Sequence, residues 1–343
     1  MPGPFLVTGA TGFAGRHLFE AREPQTRAIG LVRDPATWPE QDWTAGLEDI
    51  DLVQGSVTDT ESWTDQLPPL AGIFHFAALV RHSRRNAEEV YTTNVDGTLN
   101  MVRLAAEHRC RVVMLSTSGT VGCFDSLDER ADETAEYCEE TVAAWPYYHS
   151  KIIAERRARE LADSLGVELV FIRPPMLLGP GDHRYRSTAN ILRMLNGKLP
   201  ALLRGGIHFI DIRDAIRAVW RAMELPQARP IYHLAGMNSS IEEFFGLVEA
   251  VSGVRAPRLM LPYGLAHFIA SADEWIGVRL KGEPLHYFLD PVVVEMASHY
   301  WGLTSLYAAS ELGYESRDPL VTIGDTVAWL QANHESLRQA SAT

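Results

Sequence analysis

The sequence predicts an α/β protein, a doubly wound parallel sheet joined to a smaller, mostly helical C-terminal lobe. Three observations carry this. Short apolar or β-branched runs alternate with longer helical stretches, the pattern of a parallel sheet covered on both faces. A glycine-rich turn follows the first run at once and opens a helix. After about residue 175 the alternation stops, and helices punctuated by Pro and Gly take over.

The elements follow in order. Phe5–Thr8 is too apolar for an exposed segment and reads as a buried first strand, with a helix at Phe13–Arg22 behind the glycines. Arg27–Val32 and Ile50–Gln54 are the next strands, and Asp59–Gln66 is expected to be helical. Gly72–Phe76 is a fourth strand and Ala87–Glu107 a long helix. Arg111–Ser116 holds the run Val-Val-Met-Leu and forms the fifth strand. Pro146 suits the first position of a helix over Tyr147–Leu165. Val167–Arg173 is the sixth strand, and Pro230–Leu234 adds a seventh. The turn-rich run Leu177–Asp182 marks the break. The expected division is residues 1–175, with 207–235 returning to them, against a lobe of residues 176–206 and 236–343.

Composition narrows the function. The chain of 343 residues is 46% hydrophobic and 22% charged, which suits a folded protein and excludes disorder as its main state. The net charge of −13 disfavours nucleic acid and anionic membrane surfaces as partners. Asp125–Glu140 holds eight acids and one base and reads as a solvated loop. The 3 cysteines form neither a CxxC pair nor a zinc spacing, so no metal is expected. A reduced, cytoplasmic protein is the simplest reading. No apolar run reaches the roughly 18–20 residues of a membrane helix, and no secretory leader is expected.

Two motifs carry chemistry. Thr8-Gly9-Ala10-Thr11-Gly12-Phe13-Ala14-Gly15 lies between a strand and a helix. Its glycines permit a tight turn, and the helix start presents free N–H groups to a diphosphate. Thr8, Gly9, Thr11, Gly12, Phe13 and Gly15 are therefore candidates for dinucleotide binding. Arg33 ends the second strand, where a guanidinium suits a ribose 2′-phosphate, so NADP(H) is expected over NAD(H). The alternative is a solvated Arg33 with Asp34 on the ribose. Ser56, Val57, Ala77 and Ala78 follow the third and fourth strands, where adenine and ribose would rest.

Tyr147 and Lys151 are four residues apart and share a helix face. A nearby ammonium favours phenolate, so the pair suits proton transfer to or from a substrate oxygen. Tyr148 is the poorer acid. Ser116-Thr117-Ser118 ends the fifth strand, beside the crevice where α/β sheets bind ligands. Ser118 is the expected substrate-oxygen partner, with Ser116 and Thr117 as alternatives and Ser116 also a cofactor candidate. Arg81 and His82, after the fourth strand, and Met176, Leu177, Tyr185 and Phe209 are candidate substrate contacts, with Met260, Phe268 and Trp275 as further apolar lining. Arg184, Arg186 and Arg204 could serve an anionic substrate group such as a nucleotide diphosphate.

Together Thr8–Gly15, Ser118, Tyr147 and Lys151 resemble the extended short-chain dehydrogenase/reductase superfamily. Secondary matches are Asn94–Thr98, Arg173-Pro174-Pro175 with Gly179–Asp182, and Phe209–Asp214. The resemblance spans nearly the whole chain. It implies a Rossmann-type domain, a C-terminal substrate lobe, cofactor contacts at Asn94 and Pro174, and often a homodimer through the Ala87–Glu107 and Tyr147–Leu165 helices. Leu31–Pro35 looks most like the dihydroflavonol-reductase and 3β-hydroxysteroid-dehydrogenase-like branches. Gly119 and Thr120 stand where sugar dehydratases carry Asp-Glu, so dehydration is not expected. Ala144-Trp145-Pro146 departs from the plant dihydroflavonol reductases, so no flavonoid substrate is implied. The expected reaction is NADP(H)-dependent reduction of a small-molecule ketone or aldehyde, or its reverse. The alternatives are a nucleotide-sugar epimerase that retains NAD, and a non-catalytic NADP(H) sensor.

Overall fold

A computed structural model describes residues 3–38, 42–44, 47, 50–282 and 290–334. Its centre is a seven-stranded sheet in which every pairing is parallel. In chain order the elements that build it are β1 (Phe5–Thr8), α1 (Phe13–Ala21), β2 (Ala28–Val32), β3 (Ile50–Gln54), β4 (Gly72–His75), α2 (Ala87–Tyr91), α3 (Gly97–His108), β5 (Arg111–Leu115), α4 (Pro146–Leu165) and β6 (Leu169–Arg173). A second sheet begins with β7 (Met176–Leu178) and continues with β8 (Gly206–Asp211); α5 (Ile212–Glu224) and β9 (Ile231–His233) then return to the first. Last come β10 (Met237–Ser240), α6 (Ile241–Ser252), α7 (Tyr263–Lys281) and α8 (Pro319–Asn333).

The large sheet runs β9-β6-β5-β4-β1-β2-β3. Chain order reverses at β1 and β4, which opens a crevice at their carboxyl ends. Alternate strand residues serve opposite faces, because successive side chains in a strand point to opposite sides. Val7, Phe74 and Val113 pack under α1 and α5, against Leu18, Ile216 and Val219. Leu6, Ile73 and Val112 pack under α3 and α4, against Val102, Ala154 and Ala158.

Three local differences from the sequence reading have physical causes. Asp59–Gln66 is turns with a 3₁₀ segment at Thr64–Gln66, not an α-helix. Trp63 is fully buried, its ring fills the space beside Gly55, and its Nε1 donates to the Ser56 carbonyl at 2.9 Å. That anchor pulls the chain inward before a second helical turn can form. The Ala87–Glu107 helix is interrupted by a π segment at Thr92–Asp96, which turns the buried Asn94 towards the β4 loop. Finally, Gly206–Asp211 joins the second sheet, so the return of the chain to the first begins at Ile212, where the Asp211 carboxylate caps α5.

The second sheet runs β10-β8-β7, with β8 parallel to β7 and antiparallel to β10. It has its own core, in which Leu178, Phe209, Phe244, Val248, Ile323 and Val327 pack with α6 and α8. Residues 283–289 and 335–343 of the expected lobe lie outside the described residues. No helix among the described residues is long and apolar enough to cross a membrane.

Candidate active site

The glycine turn is built for close approach. Gly9 has φ +69°, and a Cβ there would lie 2.7 Å from the Phe76 main chain. A Cβ on Gly15 would lie 2.5 Å from the Gly9 carbonyl oxygen. Both glycines are therefore required by the turn itself. Gly12 caps α1 without any side-chain acceptor, so no side chain satisfies the first N–H groups of the helix. A Cβ-free surface over a positive helix end fits a dinucleotide diphosphate. Phe13 closes the turn by packing edge-on to His17, ring centroids 5.2 Å apart.

Thr8 holds the turn to β4. Its hydroxyl accepts from the Phe76 and Ala77 N–H groups at 3.2 and 3.1 Å and pairs with His75 Nδ1 at 2.8 Å. His75 Nε2 continues to the Thr98 hydroxyl at 3.1 Å. Burial, helped by the Lys151 charge, pushes His75 down to about 3, so the ring is a neutral relay. Asn94 donates to the Ser150 hydroxyl at 2.9 Å and accepts from Leu79 N–H at 2.7 Å, which ties the loop bearing Ala77 and Ala78 to α4.

Arg33 is exposed at the carboxyl end of β2 and lines a cleft of about 530 Å³ with Gln54, Ser56, Asp59, Ser62 and Gln66. Asp34 is exposed, and its Oδ1 accepts from the Ala36 N–H at 3.0 Å, capping the Pro35–Thr37 turn. Val57 is buried, and its carbonyl accepts from Asn100 Nδ2 at 2.9 Å.

At the end of β5 the three neighbouring hydroxyls differ. Ser116 donates to Glu155, inside a buried cluster with Arg173 and Tyr137. The Thr117 hydroxyl accepts from Gly119 N–H at 3.2 Å. The Ser118 hydroxyl has no partner among the described residues, and its N–H is fixed by the Pro174 carbonyl at 2.8 Å. Ser116 is therefore placed as a structural anchor, and Ser118 as the available hydroxyl.

Tyr147 and Lys151 sit on the first turns of α4. Trp145 sets the start of that helix, buried and donating to Glu295 at 2.9 Å. The Tyr147 ring meets His82 edge-on at 5.6 Å and Tyr148 at 5.2 Å. Burial pushes the Tyr147 phenol up to about 12. Lys151 is buried and donates to the Leu115 carbonyl at 3.0 Å, and burial pulls it down to about 8 against the opposing pull of Glu155. Burial is the one cause acting on the phenol, and the expected lowering by its ammonium neighbour is not seen. Tyr148 packs on Trp301 at 5.2 Å and fills the space a Cβ on Gly119 would need, which makes it a wall.

The other predicted contacts scatter. His82 lies on Tyr147, with Nδ1 buried and unpartnered, and burial pulls it down to about 4. Arg81 pairs with Glu89 at 2.9 Å. Met176 and Leu177 are half-buried on β7. Tyr185 packs on Trp329 at the second core. Phe209 is a correction: it is 1% exposed and packs on Phe244, because β8 turns it into that core. Phe268 and Trp275 are exposed on α7. Arg184 reaches the glycine turn, where Nη2 donates to the Thr11 hydroxyl at 2.9 Å. Sequence reading missed the roles of His75, Glu155 and Arg173. The one signal for Glu155 was its spacing four residues beyond Lys151, which puts it on the same helix face.

The family model described as the NAD dependent epimerase/dehydratase family matches residues 5–235. A putative dihydroflavonol 4-reductase of Synechocystis sp. is 30% identical over 348 residues, covering 96% of this chain and 95% of that protein. The solved structure of gox2253 superposes with a TM-score of 0.80 at 26% identity, covering 97% of this chain and 99% of that one. A UDP-glucuronic acid 4-epimerase from Bacillus cereus, solved with NAD, gives a TM-score of 0.72 at 17% identity over 97% and 100%, a likeness of fold.

Proposed function

The chain belongs to the NAD dependent epimerase/dehydratase family, and from that premise we propose that it is an NADP(H)-dependent oxidoreductase. It reduces the carbonyl of a small ketone or aldehyde to an alcohol, or runs the reverse. The observation that carries this reading is Lys151, on the helix that bears Tyr147, donating to the Leu115 carbonyl at the end of the strand that leads to the unpartnered Ser118 hydroxyl.

The cradle residues Gly9, Gly12 and Gly15 would hold the diphosphate, Ser56 and Val57 the adenosine end, and Ala77, Ala78 and Asn94 the inner ribose. Arg33, exposed at the carboxyl end of β2, would face the 2′-phosphate. The bound nicotinamide supplies or accepts the hydride. Ser118 holds the substrate oxygen, and Tyr147 gives or takes its proton. The phenol, at about 12 when neutral, is a proton donor in the reducing direction. Lys151, charged below about pH 8, offsets the negative charge that develops on the phenol oxygen and is aimed by Leu115. The wall of Tyr148 over Gly119 leaves no room for the extra acid that expelling water needs. The reductase relative supports the same direction.

The test is consumption of NADPH and of NADH with a panel of ketones and aldehydes. Stoichiometric NADPH consumption with free exchange of the cofactor is expected. A tightly held nicotinamide with no net consumption would replace this reading with epimerisation.

A further inference from the structure

Residues 180–188 form a strap from the second sheet to the cofactor cradle. The Pro180 carbonyl bonds His17 Nε2 at 2.8 Å, and His183 Nε2 bonds the Thr11 carbonyl at 3.1 Å. Gly181, at φ +95°, passes so close that a Cβ would lie 2.8 Å from the Arg16 guanidinium. Asp182 is 1% exposed and fixes the far end, accepting from the N–H groups of Arg186, Ser187 and Thr188 and from the Thr188 hydroxyl. Between these anchors Tyr185 holds φ +51°, a left-handed conformation unusual for a bulky residue. Such strain persists only where its surroundings enforce it.

The strained turn separates two arginines. Arg184 bonds the Thr11 hydroxyl at 2.9 Å. Its guanidinium is held below its ordinary pKa by partial burial, then by the charges of Arg33 and Arg186. Arg186, two residues further along, is exposed. Among the described residues, no acidic side chain pairs with Arg33, Arg184 or Arg186. All three are exposed, and β1 pairs with β2 in the register Thr8↔Leu31, so the turn that carries Thr11 and the strand end that carries Arg33 lie at the same edge of the crevice.

We propose that Arg184 is a second reader of the adenosine 2′-phosphate, reaching across from the strap to close the cradle opposite Arg33. This rests on the NADP(H) reading above, which places a phosphate at Arg33. Arg33 approaches from the sheet and Arg184 from the strap, so a phosphate between them meets two planar donor sets. Binding the phosphate then also favours the strap seated on Thr11, which links cofactor choice to the position of the second sheet.

The experiment is calorimetric titration of the full chain, wild type and variant, with four probes: NADPH, NADH, adenosine 2′,5′-bisphosphate and 5′-AMP. The wild type tests the underlying reading first, since equal or tighter NADH binding would sink the NADP(H) assignment before any variant is read. With NADPH preferred, Arg184→Ala should weaken NADPH and the bisphosphate tenfold or more while NADH and 5′-AMP change less than twofold. Arg184→Lys should recover part of the loss. Arg33→Ala with Arg184→Ala should lose less than the product of the two single losses, because both act on one phosphate. Unchanged NADPH affinity, or an equal loss for NADPH and NADH, would overturn the proposal, the second by assigning Arg184 to the diphosphate or to the shape of the turn.

Discussion

The Lys151 ammonium donates to the main-chain oxygen of Leu115 at 3.0 Å, so the last residue of β5 aims the charge of α4. Strand and helix are locked together at the point where the proton is handled. Lys151 retains two further donor hydrogens for ligand hydroxyls.

Lys151 sets the alkaline limb. Its pKa is lowered from the ordinary lysine value to about 8, so the ammonium is present below that pH and lost above it. Carbonyl reduction should therefore decline as pH rises through about 8. Lys151→Met should reduce turnover at least a hundredfold and abolish this limb, since the residual rate no longer depends on an amine. A pH–rate profile of the variant that keeps the same limb would assign the ionisation elsewhere.

Gly119 and Tyr148 define a wall. A Cβ on Gly119 would sit 2.1 Å from the Tyr148 ring, and the ring is backed by Trp301 and Trp145. Gly119→Ala should cost about 1–3 kcal/mol by overpacking and displace Tyr148 towards Tyr147, lowering turnover as well. Thermal unfolding and steady-state kinetics measure both; an unchanged melting temperature would mean the aromatic cluster yields freely.

Glu155 underlies the site. Burial alone would raise its pKa, but Arg173 and hydrogen bonds from Ser116 and Tyr137 hold it below the usual carboxylate range. The stability this contributes is present above about pH 4.3 and lost as pH falls through the lower folded value. Glu155→Ala leaves Arg173 buried and unpaired, at a cost of about 3–5 kcal/mol in denaturant unfolding. Adding Arg173→Met should return much of it; a double variant as unstable as the single would contradict the uncompensated-charge explanation.

The fold was largely legible because its central strands are buried on both faces, so Val112–Leu115 and Leu169–Ile172 announce themselves as unbroken apolar runs. What failed depended on distant partners. Nothing near Asp59–Gln66 reveals that Trp63 must seat against Gly55. Phe209 looks like any pocket aromatic until Phe244 is placed against it. In the site, the four-residue spacing of Tyr147 and Lys151 is local and readable. The Leu115 contact, the engagement of Ser116 by Glu155 and the reach of Arg184 to Thr11 span 36, 39 and 173 residues and belong to the tertiary structure.

The most direct measurement is turnover and cofactor binding of Tyr147→Phe with a carbonyl substrate accepted by the wild type. The substitution removes one hydroxyl from a packed ring and leaves the cradle untouched. NADPH affinity within about twofold of wild type, with turnover reduced at least a thousandfold, is the predicted result, of the order that loss of proton transfer implies. Undiminished turnover would show that proton transfer does not pass through Tyr147.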